Sequence, residues 1–214
     1  VNAAFEATLT PNQRHLAHRL ESFGDVVFGF TISQLALQFP LPMHPRDLVN
    51  NWYGYVTYTV TFTAIAILWL SYHRILSSTY VPTPIDLIFT FGFLAFTGLV
   101  PYAMFAYLHF NSSLEAARYG FGAYLICAIG VTLTGTVVRA RSYRRGAAYL
   151  DDDERRVTFR RLVINALLLP VFGMVLAFDY FGDLQVAWSL FFIIPVVSVI
   201  ARRSIRSGPT WPAT

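Results

Sequence analysis

Arg19, Glu21, Ser22 and Asp25 crowd the stretch Arg19-Leu20-Glu21-Ser22-Phe23-Gly24-Asp25, and behind them Val26 to Phe39 carries no charge. An arginine, a carboxylate and an aromatic ring within two helical turns can fix how a helix packs, through charge-assisted hydrogen bonds formed where the chain enters an apolar medium. The uncharged run behind them then faces lipid or lines a pore. A second pair, Trp69 and His73, stands four residues apart and so shares one helix face. Composition reads that pair as an interfacial tryptophan and a polar tip, both turned to lipid headgroups.

Other chemistries lack their residues. No nucleophile elbow, His-Glu-x-x-His helix, phosphate-cradling glycine loop or paired-cysteine metal site occurs, so an enzyme is not expected. His15 and His18 lie in a polar N-terminal segment and His44 in a proline-rich loop. His73 and His109 fall at helix ends on opposite sides, where they cannot share a haem. No cofactor or metal is expected. The single cysteine, Cys127, falls in an apolar run and reads as packing. Asp151, Asp152, Asp153 and Glu154 read as a solvated helix-capping and ion-pairing stretch without the alternating spacing of a calcium loop. Asp25, Asp86, Asp179 and Asp183 all fall near predicted span ends. Carboxylates deep inside several spans, the mark of proton-coupled transport, are missing.

The elements that must position these residues are membrane helices. Of 214 residues 55% are hydrophobic and 13% charged, and the apolar residues come in long blocks, which sets the chain apart from soluble domains. Residues 1–214 are read as one all-α, polytopic transmembrane domain. Six blocks approach the length needed to cross hydrocarbon: about 22–39, 49–72, 85–108, 117–138, 162–181 and 185–201. The short link Gly182-Asp183-Leu184 predicts an antiparallel hairpin of the last two. All sixteen basic residues are arginine, and six spans with an inner N-terminus put fourteen of them on the cytoplasmic side, leaving Arg46 and Arg118 outside. Both termini are therefore expected in the cytoplasm. The arginine clusters then mark inner helix ends and nucleic acid is not an expected partner. The polar N-terminal twenty residues do not resemble a cleavable signal, so the first span is expected to direct insertion. Pro40, Pro42 and Pro45 predict a rigid outer loop, and Asn111-Ser112-Ser113 matches a glycosylation sequon on the same side.

On the first helix, Phe23, Val27, Phe30, Gln34 and Leu37 form one stripe, and Asp25, Gly29, Ile32 and Ala36 form another. The second, small-residue stripe suits close packing with Asp25 tucked among donors. The first suits either plain helix packing or a constriction that gates by dewetting.

These residues resemble the transmembrane protein 175 family of potassium channels, found in bacteria and in endosomal and lysosomal membranes. The family's helix-one hallmark is Arg-x-x-x-Phe-Ser-Asp, matched here at Arg19, Phe23 and Asp25, with Gly24 in place of the serine. Trp69-Leu70-Ser71-Tyr72-His73-Arg74 is similar to the family's Trp-x-x-x-His-Arg, and Pro101-Tyr102 to a Pro-Phe pair late in helix three. The resemblance implies a six-helix subunit and, as in bacterial members, a homotetramer with four copies of helix one around a central pore. It implies no carbonyl-lined filter loop, and no Thr-Val-Gly-Tyr-Gly occurs here. The family's constrictions fall on Phe30, Gln34 and Leu37, of which Leu37 keeps the family's residue, and a hydroxyl layer falls on Ser33. Arg19, Asp25 and His73 are implied to join a polar network supporting the pore helix, with Phe23 and Trp69 in the motifs around it.

The expectation is therefore a potassium-permeable cation channel in a bacterial cell membrane, conducting passively, with the lipid bilayer, monovalent cations and its own copies as partners and potassium as the permeant ion. The alternative is a nonconducting scaffold or binding protein of the same fold.

Overall fold

The computed structural model describes residues 5, 7–37, 43–77, 79–109 and 114–182, and within them the protein is all-helical. Five long helices follow one another: α1 (Pro11–Leu37), α2 (Trp52–Leu76), α3 (Pro84–His109), α4 (Leu114–Gly146) and α5 (Asp152–Phe181). One helical turn, Asp47–Asn50, precedes α2, and a 3-10 turn, Ala147–Tyr149, separates α4 from α5. The sixth expected span, the link through Asp183 and Leu184, Arg202, Arg203, Arg206, Pro40, Pro42 and the 111–113 sequon lie outside the described residues.

The first helix begins eleven residues earlier than apolarity alone predicts. Thr10 starts it: the Gln13 backbone N–H donates to Thr10 Oγ1 at 3.3 Å, and the Thr10 N–H donates to Gln13 Oε1 at 3.0 Å. This reciprocal capping box, followed by Pro11 at the first helical position, satisfies two of the orphan donors of a helix start. The same Thr-Pro pattern opens α3, where Thr83 caps the Asp86 N–H and its hydroxyl donates to the Asp86 carboxylate. For α5 the cap is Asp151, which accepts from the Glu154 N–H at 2.6 Å, with Asp152 and Asp153 set favourably against the helix dipole.

Among the described residues four helices, α2 to α5, are long and apolar enough to cross a membrane. α1 is not among them, because Glu21, Ser22, Asp25, Ser33 and Gln34 interrupt its apolar run. Neighbouring helices run up and down. Paired contacts descend in register between α3 and α4, from Gly120 against Tyr107, through Gly130 against Phe96, to Arg141 against Asp86. α1 lies antiparallel to α2 and parallel to α3, meeting the latter through Phe23 with Phe91, and Phe28 with Phe93. Eleven of the thirteen described arginines consequently gather at one end of the bundle, with Arg46 and Arg118 at the other.

Lipid tails are as apolar as leucine, so burial alone does not hold such helices together; close packing and interhelical hydrogen bonds must. The α3–α4 pair has the largest interface. At its far end a Cβ on Gly120 would come within 2.5 Å of the Tyr107 Cα, so only glycine lets these backbones meet. At the arginine-rich end, Asp86 is 2% exposed and accepts from Arg141 Nε and Arg145 Nη1, each at 2.5 Å. The 79–83 connection is tied into the same region. The Thr79 hydroxyl donates to the Ser142 carbonyl at 2.9 Å, and the Tyr80 hydroxyl lies 3.1 Å from Thr90 Oγ1. Burial, helped by the nearby Asp86 charge, pushes the Tyr80 phenol up to about 12, while its bond to Thr90 acts the other way.

Candidate functional site

The site is built where α1 crosses the end of α2. Four residues of α1, Leu20, Gly24, Phe28 and Thr31, turn into the bundle with Leu35. This packing face is rotated by one residue, about 100°, from the expected Asp25–Gly29–Ile32–Ala36 stripe. Gly29 and Ala36 are exposed, and a side chain at Gly29 would meet nothing within 4 Å. The reason for the rotation is Tyr72. It is fully buried, its hydroxyl donates to the Leu20 carbonyl at 2.5 Å, and its ring fills the space beside Gly24. Large rings on Phe28, Tyr72 and Phe93 then complete the α1–α2–α3 core.

On the flank of that face the two motifs meet. Asp25 Oδ1 accepts from Trp69 Nε1 at 2.9 Å and lies 2.9 Å from His73 Nε2. The other ring nitrogen of His73, Nδ1, lies 3.0 Å from Glu21 Oε1. Ionised carboxylates only accept, so His73 donates to both only when both its nitrogens carry protons; a neutral ring serves one of them. Trp69 stacks edge-on against His73 with centroids 4.7 Å apart, which fixes the ring plane. Trp69 and His73 therefore face α1, and the reading that turned them to lipid headgroups is corrected: a carboxylate one helix away offers a better partner than headgroup water.

The structure brings Asp25, Trp69 and His73 together and adds Glu21. Arg19 is not in this group. It is exposed on α1 and makes no hydrogen bond or ion pair among the described residues. Phe23 sits apart, edge-on to Phe91 of α3 at 5.8 Å. The Glu21 contact had a sequence signal, since Glu21 and Asp25 are four residues apart and so share the α1 flank that meets His73.

Of the four residues expected to line a pore, Phe30 is 64% exposed and Leu37 84%. Ser33 is exposed, its hydroxyl bonded back to the Gly29 carbonyl at 2.9 Å. Gln34 is half-buried and shares a shallow recess with Leu37, Gly98, Leu99 and Tyr102. Val26, 70% exposed, completes a continuous open face along α1 with Ser22 and Gly29. Among the described residues no three His, Cys, Asp or Glu side chains are grouped to hold a metal ion.

Residues 19–101, which contain the Glu21, Asp25, Trp69 and His73 cluster and the open face of α1, match the family model described as endosomal/lysosomal potassium channel TMEM175. Over residues 19–101 the chain is similar to the TMEM175 family. A curated potassium channel of Chamaesiphon minutus is 31% identical over 67 residues, which is 28% of this chain. The match spans about a third of that relative's length (33%). The fold is also that of two solved structures, each at TM-score 0.69 and 15% identity. One, a variant of the potassium channel MtTMEM175 in complex with a Nanobody-MBP fusion protein, is covered to 94% by 89% of this chain. The other, a lysosomal potassium-selective channel TMEM175 homolog from Chamaesiphon minutus, is covered to 100% by 90% of it. These relatives are channels and not enzymes, and the chain is an integral membrane protein.

Proposed function

We propose that this chain is one subunit of a potassium-permeable cation channel, a homotetramer in which four α1 helices surround the conduction path. The observation that carries this reading is the open face of α1. A lipid-facing surface is mainly apolar, as on α2, where Val56, Val60, Ile67 and Leu70 are exposed and the exposed Thr59 and Thr63 hydroxyls bond back to their own helix. The open face of α1 instead alternates apolar Val26, Phe30 and Leu37 with Ser22, Gly29 and Ser33. That mixture suits a water-containing path with apolar constrictions. Phe30 and Leu37 form rings that control wetting, Ser33 supplies a hydroxyl layer, and the Gln34 amide borders the path. No loop of backbone carbonyls takes part. Asp25, Glu21, Trp69 and His73 hold α1 against α2 so that this face stays open to the other subunits.

The gathering of arginines at the start of α1, the ends of α2 and α4 and the start of α5 favours a cytoplasmic setting for that end, with both termini inside a bacterial cell membrane. Potassium is the permeant ion and no cofactor is needed. A second reading, a nonconducting scaffold of the same fold, draws on the bulk of Phe30, four copies of which would crowd a narrow path. Purified protein in liposomes with a potassium gradient, read against sodium and protein-free vesicles, separates the two. The channel reading expects potassium flux above sodium flux; folded protein that passes neither ion contradicts it.

A further inference from the structure

The cluster around Asp25 leaves Arg74, the last residue of the helix-two motif, without a role. It lines two adjoining cavities of about 590 and 460 Å³ between α2, α4 and α5, and Arg139 and Arg161 line both as well. The larger also touches Asp151 and Glu154, the first of them engaged as the α5 cap. The smaller runs toward the middle of the helices. Arg160 is added there, its walls are Ile67, Leu68, Ile164, Leu168 and Phe172, and no carboxylate lines it among the described residues.

Arg139 is the decisive group. It is 8% exposed, and among the described residues its hydrogen bonding is limited to Nη2 donating to Ser71 Oγ at 2.8 Å. Asp86, the buried carboxylate of this end, is already held by Arg141 and Arg145. In the smaller cavity the charged groups around Arg139 among the described residues are further guanidinium groups, and a buried guanidinium so placed is costly unless an anion joins it. The planar fork of arginine fits phosphate oxygens two at a time. A phosphate alone would meet the cations and leave the apolar walls unused; a phosphate carrying an acyl chain uses both.

We propose that this groove binds an anionic phospholipid, its phosphate on Arg139 with Arg74 and Arg161 beside it, and an acyl chain along the Ile67–Leu68–Ile164 wall. The site is separate from the open face of α1, so it stands whether or not the protein conducts.

The test uses the full chain purified in detergent and native mass spectrometry with acyl-matched phosphatidylglycerol and phosphatidylcholine. Retained adducts should favour phosphatidylglycerol. Arg74→Gln and Arg161→Gln, both at exposed positions, should each reduce that preference about fivefold, the change expected of one arginine beside an anionic headgroup. Arg156→Gln, exposed on α5 but outside both cavities, should leave it unchanged. Equal retention of the two lipids overturns the proposal, as does an equal loss in Arg156→Gln. Displacement of the lipid by inorganic phosphate at matched concentration would also overturn it, by reassigning the groove to a soluble anion.

Discussion

The ring of Tyr72 occupies the volume that a side chain at Gly24 would need. In this chain the glycine is therefore a condition of the α1–α2 packing. Tyr72 cannot simply swing away, since it is buried and its hydroxyl holds the Leu20 carbonyl. Gly24→Ala should lower thermal stability by about 1–3 kcal/mol, the usual cost of overpacking. Combined with Tyr72→Ala, the loss should be smaller than the sum of the two single losses, because the cavity accepts the methyl group. Unfolding followed by size-exclusion chromatography of heated, detergent-solubilised samples reads both.

Asp86 is the other point on which the bundle depends. Asp86→Asn removes the charge that Arg141 and Arg145 share and leaves two cations facing an amide. A loss of roughly 3 kcal/mol is expected, at the low end for broken buried pairs because both arginines remain partly exposed to water. Asp151→Asn keeps a capping oxygen at the start of α5 and should cost only a few tenths of that.

The indole N–H of Trp69 donates to Asp25 Oδ1, which His73 Nε2 also approaches. Trp69→Phe keeps an aromatic ring beside His73 and deletes the donor, which should cost about 0.5–1.5 kcal/mol, the range for interhelical hydrogen bonds in membranes. The same variant measured in an Asp25→Ala background, where the acceptor is gone, should lose less. Double-mutant cycle analysis of the thermal midpoints checks this.

Tyr80 gives a pH dependence with a definite sign. Its folded value, about 12, lies above the ordinary 10.0, so the fold favours the neutral phenol. That contribution is complete below pH 10 and is lost as pH rises toward 12. Between those values the thermal midpoint should fall less steeply in Tyr80→Phe than in the native chain.

Much of this was legible in the residues. Class, helix order and the segregation of arginine follow from long apolar blocks bounded by charge, because lipid forces every backbone group into a helix. The start of α1 was legible too, in Thr10-Pro11-Asn12-Gln13, but a capping signal is short and is easily passed over beside a hydropathy boundary. The face that α1 buries was not. Two stripes of that helix are comparably small and apolar, and only the bulk of Tyr72, residing on another helix, selects between them. The Asp86 pairing was hidden for a similar reason: Arg141 and Arg145 lie more than fifty residues away, among arginines that also serve to mark the inner side.

The open face of α1 as a conduction path is tested most directly by placing a single reactive thiol on it. In a Cys127→Ala background reconstituted in potassium-loaded liposomes, Phe30→Cys should conduct, and a cationic methanethiosulfonate reagent should then suppress potassium flux by most of its amplitude. Val60→Cys, exposed on the lipid-facing side of α2, should keep its flux under the same treatment. Flux that persists through full modification of Phe30→Cys would contradict a path along α1.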